Sequence, residues 1–455
     1  MRSTVMIAVL VCVLVEIFGG CKKFVDIDPP AEIIESGAIF EEESTALSAV
    51  SGVYVLMRNP NFTISNGGMS VYAGLSADDI YNTASSPITD PFTQNSLLKE
   101  NNTVRTSFWN PSYKQIYAVN SVIEGVEKSK GLSDSIKLQF DGEMKVVRAF
   151  DYFNLVNLFG DVPLVLTTDY TKNLRLAREE KQKVYDQIIA DLTLASVKLK
   201  ETYASAGKLR PNKWTATALL ARVYLFQGKW TLAEAAASAV IGSGKYSLVN
   251  NLAQVFLINS SETIWELGNT GNTAEGGTFI PTSSTSRPTY ALTPGLLLAF
   301  EAGDKRKVSW VSKNTVSGQD YYYPFKYKVK SLTPVSEYLV VLRLAEQYLI
   351  RAEARLEQGN NSGARDDLNQ VRLRAGLTAT SSNDAAVLKD LIRKEKRMEF
   401  FAEWGHRWLD LKRTGEVQVV MPLIKGSNWD PTDVLYPIPE TERLLNPALT
   451  QNPGY

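Results

Sequence analysis

The sequence predicts a mainly α-helical protein built from helical hairpins, with long irregular loops and minor β insertions. Along most of the chain, apolar residues recur three or four positions apart, which is the spacing of amphipathic helices. Two stretches, 59–110 and 245–340, interrupt that spacing and are rich in small and polar residues. The composition, 44% hydrophobic and 22% charged over 455 residues, is that of a folded globular protein.

The predicted helices differ in how sharply they end. The helix expected over 137–159 stops at Gly160, a residue type that commonly follows a helix. The tyrosine-rich run 321–327 suits a strand or a loop, and the tail from Pro422 onward is expected to be irregular. The stretch 59–110 is expected to be a long loop with short helices. The full set of predicted helices is 41–58, 111–128, 137–159, 181–201, 214–228, 231–241, 342–358, 362–374 and 386–413.

One short pattern occurs twice and indicates how the helices pair. The spacing Ala-x3-Leu-x2-Gly-x4-Ala begins at Ala221 and again at Ala352. Small residues at these positions allow two antiparallel helices to approach, and glycine permits the tight reversal between them. The pattern resembles that of tetratricopeptide (TPR) repeats, whose units stack around a shared core. It predicts a TPR-like hairpin scaffold.

The amino terminus has the features of a targeting segment. Residues 1–20 contain a weakly basic start and a short apolar run that closes on small residues, which is typical of a secretory signal peptide. Because Cys21 follows directly, the segment resembles a bacterial lipoprotein signal, in which that cysteine carries the lipid. An ordinary secretory signal with an incidental cysteine is the alternative. Residues 21–40 are expected to form an extended tether from the membrane.

The rest of the chain, 41–455, is expected to form one domain. Its parts are an amino-terminal helical part (41–244), a loop-rich insertion (245–340) and a carboxy-terminal TPR-like part (341–455).

Charge and residue usage exclude several classes of protein. Lysine plus arginine equals aspartate plus glutamate at 49 each, which argues against nucleic acid as the main partner. The single histidine and the two cysteines exclude zinc sites built from those residues. A calcium site built from loop carboxylates and carbonyls is the remaining alternative. Because the sequence has no D-x-[DN]-x-[DN]-G calcium loop, we predict no metal, and we predict no cofactor.

Several segments together resemble the SusD/RagB family of outer-membrane lipoproteins of Bacteroidetes. Their order along the chain, from residue 21 to 455, carries the resemblance more than any one of them. They are Cys21-x2-Phe24-x-Asp26-x2-Pro29, the stretch Arg148–Leu164 with its Phe-Gly-Asp-Val-Pro-Leu end, Leu342–Ala354, Leu368–Leu377, Arg397–Arg413, and the closing segment Tyr436–Tyr455.

The resemblance implies a nutrient-binding protein and not an enzyme. Members of this family are held at the cell surface by their lipid and cap a SusC/RagA-type TonB-dependent outer-membrane barrel. They capture oligosaccharides, or peptides in some members, and deliver them to that barrel. The resemblance therefore implies a surface-exposed, lipid-anchored protein of the outer membrane, with helical hairpins as scaffold and long insertions as the ligand face.

A glycan site needs aromatic rings for the CH faces of sugars and polar side chains for their hydroxyls. The two loop-rich stretches supply both residue types. An alternative is that many of these rings fill small cores beneath the loops. The candidate ligand-binding residues are Asn66, Tyr72, Asp78, Asp79, Tyr81, Asn272, Arg287, Tyr290 and Tyr322.

Carboxylate clusters leave an enzymatic hypothesis open. Asp78 and Asp79 are compatible in principle with a paired-carboxylate glycosidase. Glu395, Glu399 and Glu403 are spaced four apart on the helix expected over 386–413, and we interpret them as ion pairs along the edges of a core helix. His406 on the same helix is interpreted as structural. A TPR-like assembly scaffold without a small ligand is a further alternative, against which the long loops argue.

Overall fold

The computed structural model describes residues 38–331 and 333–455. The signal peptide, Cys21 and most of the tether were predicted within residues 1–37 and lie outside the described residues.

The mainly helical prediction is confirmed. We number the α-helices of nine residues or more in chain order. They are α1 (Glu43–Arg58), α2 (Asn110–Lys128), α3 (Asp134–Phe159), α4 (Lys181–Lys198), α5 (Lys213–Phe226), α6 (Trp230–Gly242), α7 (Leu344–Glu357), α8 (Asn361–Arg374), α9 (Ala385–Phe400), α10 (His406–Thr414) and α11 (Val417–Lys425).

Shorter elements occupy the two loop-rich stretches and the tail. Strands β1 (Ile80–Asn82) and β3 (Tyr290–Leu292) pair antiparallel, as do β2 (Thr263–Leu267) with β6 (Leu339–Arg343) and β4 (Val311–Val316) with β5 (Gln319–Pro324). The short α-helices are Gly74–Ser76, Asp90–Thr93, Tyr170–Asn173, Ala274–Phe279, Pro294–Ala299, Lys305–Trp310 and Glu440–Leu445. The π-helical turns are Met69–Ala73 and Val104–Trp109, and the 3₁₀ turns are Ala38–Phe40, Leu252–Gln254, Gly426–Asn428 and Pro431–Val434.

The repeated Ala-Leu-Gly-Ala pattern forms two helical hairpins, α5–α6 and α7–α8. Gly228 and Gly359 lie in the reversals with positive φ angles of 63° and 78°, a conformation that suits glycine. The first alanine of each pattern, Ala221 and Ala352, is fully buried. Helices α6 and α7 pack against each other, so the two hairpins stack. This arrangement is the TPR-like scaffold that the sequence predicted.

Helix α3 lies at the centre of the core. From Glu143 to Phe159 every one of its residues is buried, because α2 and α4 pack along it and the Trp265 ring of β2 contacts its Phe150 ring. Its polar residues are accommodated by pairing: Arg148 donates to both carboxylate oxygens of Asp191 at 2.7 and 2.8 Å. Burying a charge is tolerable when it is paired and hydrogen-bonded in this way.

The predicted helix over 386–413 is wrong in one respect: two helices, α9 and α10, meet at a break over 401–405. Ala402, Trp404 and Gly405 have positive φ angles of 53°, 47° and 65°. The break turns the Trp404 indole so that it donates to the Val340 carbonyl at 2.7 Å. Packing against β6 and the Met69–Ala73 turn outweighs the helical periodicity here. The apolar stripe survives, because every one of its members is buried: Met398, Phe401, Trp404, Trp408 and Leu411.

The prediction that Glu395, Glu399 and Glu403 lie at the edges of a core helix is also wrong. All three are buried, at 1%, 0% and 7% exposure. The loop-rich insertion and β6 cover this face of α9, so the carboxylates meet arginines in the interior and not at the rim. The three glutamates form one buried ion network with four cationic side chains: Arg306, Arg343, Arg374 and Lys326.

The tail is more regular than predicted, since α11 continues through Pro422. Val417 and Met421 are one helical turn apart and are buried at 2% and 0% exposure. Their burial favours the helix although proline removes one backbone hydrogen bond. His406, at the start of α10, stacks on the Phe400 ring with centroids 4.6 Å apart, which agrees with a structural interpretation.

Candidate ligand-binding site

Two loop-built surfaces bring together residues expected at a ligand site. The first is a cleft of about 290 Å³. Its floor is the end of the β2–β6 pair, where Leu267 and Leu339 lie opposite each other. Its walls are the turn that follows α1 and the loop that follows β2. We call it the amide cleft, after its five asparagines: Asn59, Asn61, Asn66, Asn269 and Asn272.

Hydrogen bonds hold the walls of the amide cleft in place. Asn66 Nδ2 donates to Asn61 Oδ1 at 2.8 Å and to the Arg58 carbonyl, which ties the turn to the end of α1. Across the cleft, Asn269 Nδ2 donates to the Glu337 carbonyl at 2.8 Å. Asn66 is buried, whereas Asn61 is exposed and Asn269 half-buried. The inner amides therefore support the turn, and the outer ones are available to a ligand.

Two glycines permit the turn that forms one wall. Gly67 has a φ of +85°, and a Cβ at Gly68 would lie 2.6 Å from the Thr63 carbonyl oxygen. A Cβ at Gly67 would lie 2.7 Å from the Cβ of Ala274, at the start of the short helix after the other wall. Glycine is thus required where the two walls of the cleft approach each other.

The second surface consists of Tyr81, Arg287 and Tyr321, and we call it the tyrosine surface. Tyr81 lies on β1 and Tyr321 on β5, and strand β3 packs between their strands. The Arg287 guanidinium carbon lies 6.0 Å from the centroid of the Tyr321 ring. Burial, and to a smaller extent the neighbouring Tyr321 phenol, raises the pKa of Tyr81. Both rings remain half-exposed.

Strand β4 holds the loop that carries Arg287. Asn314 Nδ2 donates to the carbonyls of Ser283 and Ser286 at 2.8 and 2.7 Å. Asn314 lies opposite Tyr321 in the β4–β5 register, so it shares a face with that ring. Tyr322 lies on the other face of the hairpin, beside Lys313, whose Nζ is 5.8 Å from its ring centroid. The structure therefore separates Tyr322 from the tyrosine surface.

Two of the other candidate rings are buried. Tyr72 packs against Phe92 and Phe108, with ring centroids 4.8 and 5.8 Å away. Tyr290 packs against Phe279 at 6.1 Å. Both tyrosines are 7% exposed, so their ring faces are covered by protein and not available to a ligand.

Asp78 and Asp79 are also buried, and arginines bind both. Arg407 donates to the two Asp78 oxygens at 2.7 and 3.0 Å, and Arg397 Nε donates to Asp79 Oδ1 at 2.8 Å. Burial by itself would raise the pKa of Asp78, but Arg407 and Arg397 lower it below its usual value. Burial raises the pKa of Asp79. These carboxylates join the loop 59–110 to α9 and α10, and their side chains do not face either surface.

Sequence reasoning did not include some residues that line the amide cleft. Arg58, Asn59 and Thr270 line it, although none was a candidate. A usable signal was the run Arg58-Asn59-Pro60-Asn61, which places polar side chains in a turn directly after a helix. Tyr321, adjacent to the candidate Tyr322, was missed because which of two neighbouring residues faces a given side depends on strand register.

Two other features are absent from the described part of the chain. Among residues 38–331 and 333–455, no group of three or more His, Cys, Asp or Glu side chains could hold a metal ion. In the same part of the chain, no helix combines the length and the apolar character that crossing a membrane requires.

The chain resembles known proteins over nearly its whole length. It is 26% identical to SusD-like protein P25 of Formosa agariphila, over 96% of each chain. A crystal structure of a SusD superfamily protein from Bacteroides vulgatus superposes with a TM-score of 0.81 at 21% identity, covering 91% of this chain and all of the other. A structure titled laminarin binding SusD-like protein superposes with a TM-score of 0.74 at 24% identity, covering 90% and 99%.

Two family models match separate parts of the chain. Residues 24–225 match a model described as starch-binding associating with outer membrane. Residues 311–455 match the model of the SusD family. The second match includes the end of the loop-rich insertion, from residue 311 onward, and both matches agree with the fold and with the order of the motifs. The chain is a member of the SusD/RagB family.

Proposed function

We propose that this protein binds an oligosaccharide through the tyrosine surface and the amide cleft. Support comes from the matching family model, whose description names starch binding, and from the structural relative whose title names laminarin binding. The family likeness alone does not select the residues. The observation that carries the proposal is the half-exposed pair Tyr81 and Tyr321 with Arg287 beside it.

The chemistry of these groups suits a sugar. A pyranose ring has apolar CH faces that stack on an aromatic ring, and hydroxyls that need both donors and acceptors. Tyr81 and Tyr321 offer the ring faces. The amide cleft offers asparagine side chains, each of which both donates and accepts hydrogen bonds. Asn272, Tyr81 and Arg287 are the sequence candidates that this proposal retains as ligand contacts, whereas the buried Asn66 supports the turn that forms one wall.

We further propose that the protein is anchored and works with a transporter. In this proposal Cys21 carries the lipid, the protein faces outward from the outer membrane, and it delivers its ligand to a SusC/RagA-type TonB-dependent barrel. The description of the family model, which names association with the outer membrane, supports this. The protein binds without turnover, since the paired carboxylates Asp78 and Asp79 are committed to arginines.

Calorimetric titration with α-1,4- and β-1,3-linked glucose oligomers tests the ligand class. Wild-type protein should bind at least one glycan series, and Tyr321→Ala should weaken that binding about fivefold, because a stacked ring contributes on the order of 1 kcal/mol. Tyr170→Ala is the matched control, since Tyr170 is 76% exposed and belongs to neither surface. Binding of peptides in place of every glycan would contradict the proposal.

A further inference from the structure

Arginine residues in the described part of the chain are mostly bound to carboxylates. Arg306, Arg343 and Arg374 meet glutamates in the buried network, and Arg397 and Arg407 meet Asp78 and Asp79. Half-buried examples follow the same pattern, such as Arg365 with Asp366. An arginine without a carboxylate partner is therefore unusual in this molecule.

Two of the arginines that lack such a partner lie at the proposed glycan site. Across residues 38–331 and 333–455, neither Arg58 nor Arg287 takes part in a salt bridge. Arg58 is half-buried and lines the amide cleft, and Arg287 is exposed beside the Tyr321 ring. The interior arginines are neutralised, whereas these two positive charges remain available at the ligand surfaces.

The amide cleft carries a single formal charge. Among the described residues that line it, Arg58 is the only ionised side chain, and the others are amides, glycines, threonines and two leucines. A neutral ligand would use the amides alone. A carboxylate or sulfate would also accept hydrogen bonds from the guanidinium, and such charge-assisted bonds are roughly twice as strong as neutral ones.

We propose that this protein selects acidic glycans, and that Arg58 in the amide cleft and Arg287 on the tyrosine surface bind their anionic groups. The inference rests on the proposed function, because it specifies which sugars the two surfaces take. Residues of the two stretches 58–82 and 267–292 contribute to both surfaces, which Leu339 and Tyr321 complete. A uronate carboxylate and a sulfate ester differ in shape, but each offers two anionic oxygens that can accept a bidentate pair of hydrogen bonds from a guanidinium.

The test compares acidic oligosaccharides with neutral counterparts of the same length and linkage. One arm uses a galacturonate oligomer and its carboxyl-reduced form, and a second uses a sulfated galactan oligomer and its desulfated form. The arm that shows the preference identifies the anion. Wild-type protein should bind the acidic member at least tenfold more tightly, and added salt should reduce that preference because it screens the charges.

Substitution of each arginine tests whether its charge causes the preference for acidic oligomers. Arg58→Gln should abolish most of the preference for the acidic oligomer, because it removes the only charge among the described residues that line the amide cleft. Arg287→Gln should reduce the preference as well. Arg175→Gln is the matched control, because Arg175 is exposed and lines neither surface. This substitution should leave the preference for the acidic oligomer unchanged. Thermal unfolding of each variant verifies that it is folded.

The outcomes separate this inference from the proposed function. Equal binding of neutral and acidic oligomers would overturn the inference and leave glycan binding intact. A preference that survives both Arg58→Gln and Arg287→Gln would overturn the assignment to these residues. If no oligosaccharide binds, neutral or acidic, both proposals fail.

Discussion

At the scale of single residues, the most consequential side chains are buried charges. Glu399 is fully buried and meets three arginines: Arg306 at 3.0 Å, together with Arg343 and Arg374. Burial would raise its pKa, but the charges of these arginines lower it well below the usual value. The carboxylate is therefore ionised in the folded protein and neutralises a cluster of positive charge.

Glu399→Gln should destabilise the protein strongly. Removing one partner of a buried ion pair typically costs about 3–5 kcal/mol, because the remaining charges stay buried without compensation. Denaturant unfolding would measure the loss. Glu179→Gln is the control, since Glu179 pairs with Lys183 on the surface at 2.9 Å. This substitution should lower the free energy of unfolding by no more than about 1 kcal/mol. Equal effects of the two substitutions would contradict this account of the network.

At the scale of elements, the break between α9 and α10 determines where the carboxy-terminal side chains point. Gly405 lies in this break with a φ of +65°, and a Cβ there would lie 2.8 Å from the Cβ of Ala73. The break thus depends on a left-handed backbone and on close contact with the Met69–Ala73 turn. That turn precedes Asp78 and Asp79, which bind α9 and α10.

Gly405→Ala should destabilise more than Gly415→Ala. Both glycines have positive φ, which costs an alanine about 1–2 kcal/mol. Gly415 has a φ of +76° and nothing within 4 Å of an added Cβ, so it isolates the backbone cost. The clash at Gly405 should add about 1–3 kcal/mol. Chemical denaturation measures the free energy of unfolding of both variants. If the Gly405 variant is no less stable than the Gly415 variant, the close contact with Ala73 does not contribute.

At the scale of the whole molecule, the helical scaffold joins distant parts of the chain and presents loops at its surface. Asp78 and Arg407 are more than three hundred residues apart in sequence and 2.7 Å apart in space. Such contacts attach the loop-rich stretch 59–110 to the carboxy-terminal helices. The α5–α6 and α7–α8 hairpins stack without contributing residues to the two surfaces, so the scaffold and the proposed ligand site use different parts of the chain.

The anchored-transport proposal is tested on the whole protein in its native outer membrane. Wild-type protein should fractionate with the membrane and co-purify with a large TonB-dependent barrel. Cys21→Ser should move it to the soluble fraction, because affinity for the membrane depends on the acyl chains. Cys12→Ser, within the predicted signal peptide, is the control and should stay in the membrane. Membrane retention of the Cys21 variant would contradict lipid anchoring at this residue.

Much of the architecture could be predicted from local sequence. The helices α1 to α8 were predicted to within a few residues at each end, because apolar periodicity and end signals are properties of neighbouring residues. The hairpin reversals at Gly228 and Gly359 were predicted for the same reason. The family resemblance rested on the order of short motifs, which a sequence displays directly.

Other features depended on contacts between distant residues, and only the tertiary structure decided them. Sequence alone could not show that Asp78 faces Arg407, that Tyr321 and not Tyr322 lies beside Arg287, or that Arg58 lines a cleft with Asn272. Local spacing determined which segments are helical. Strand register and long-range packing determined which polar and aromatic side chains remain exposed, because burial depends on what covers a residue and not on its neighbours in the chain.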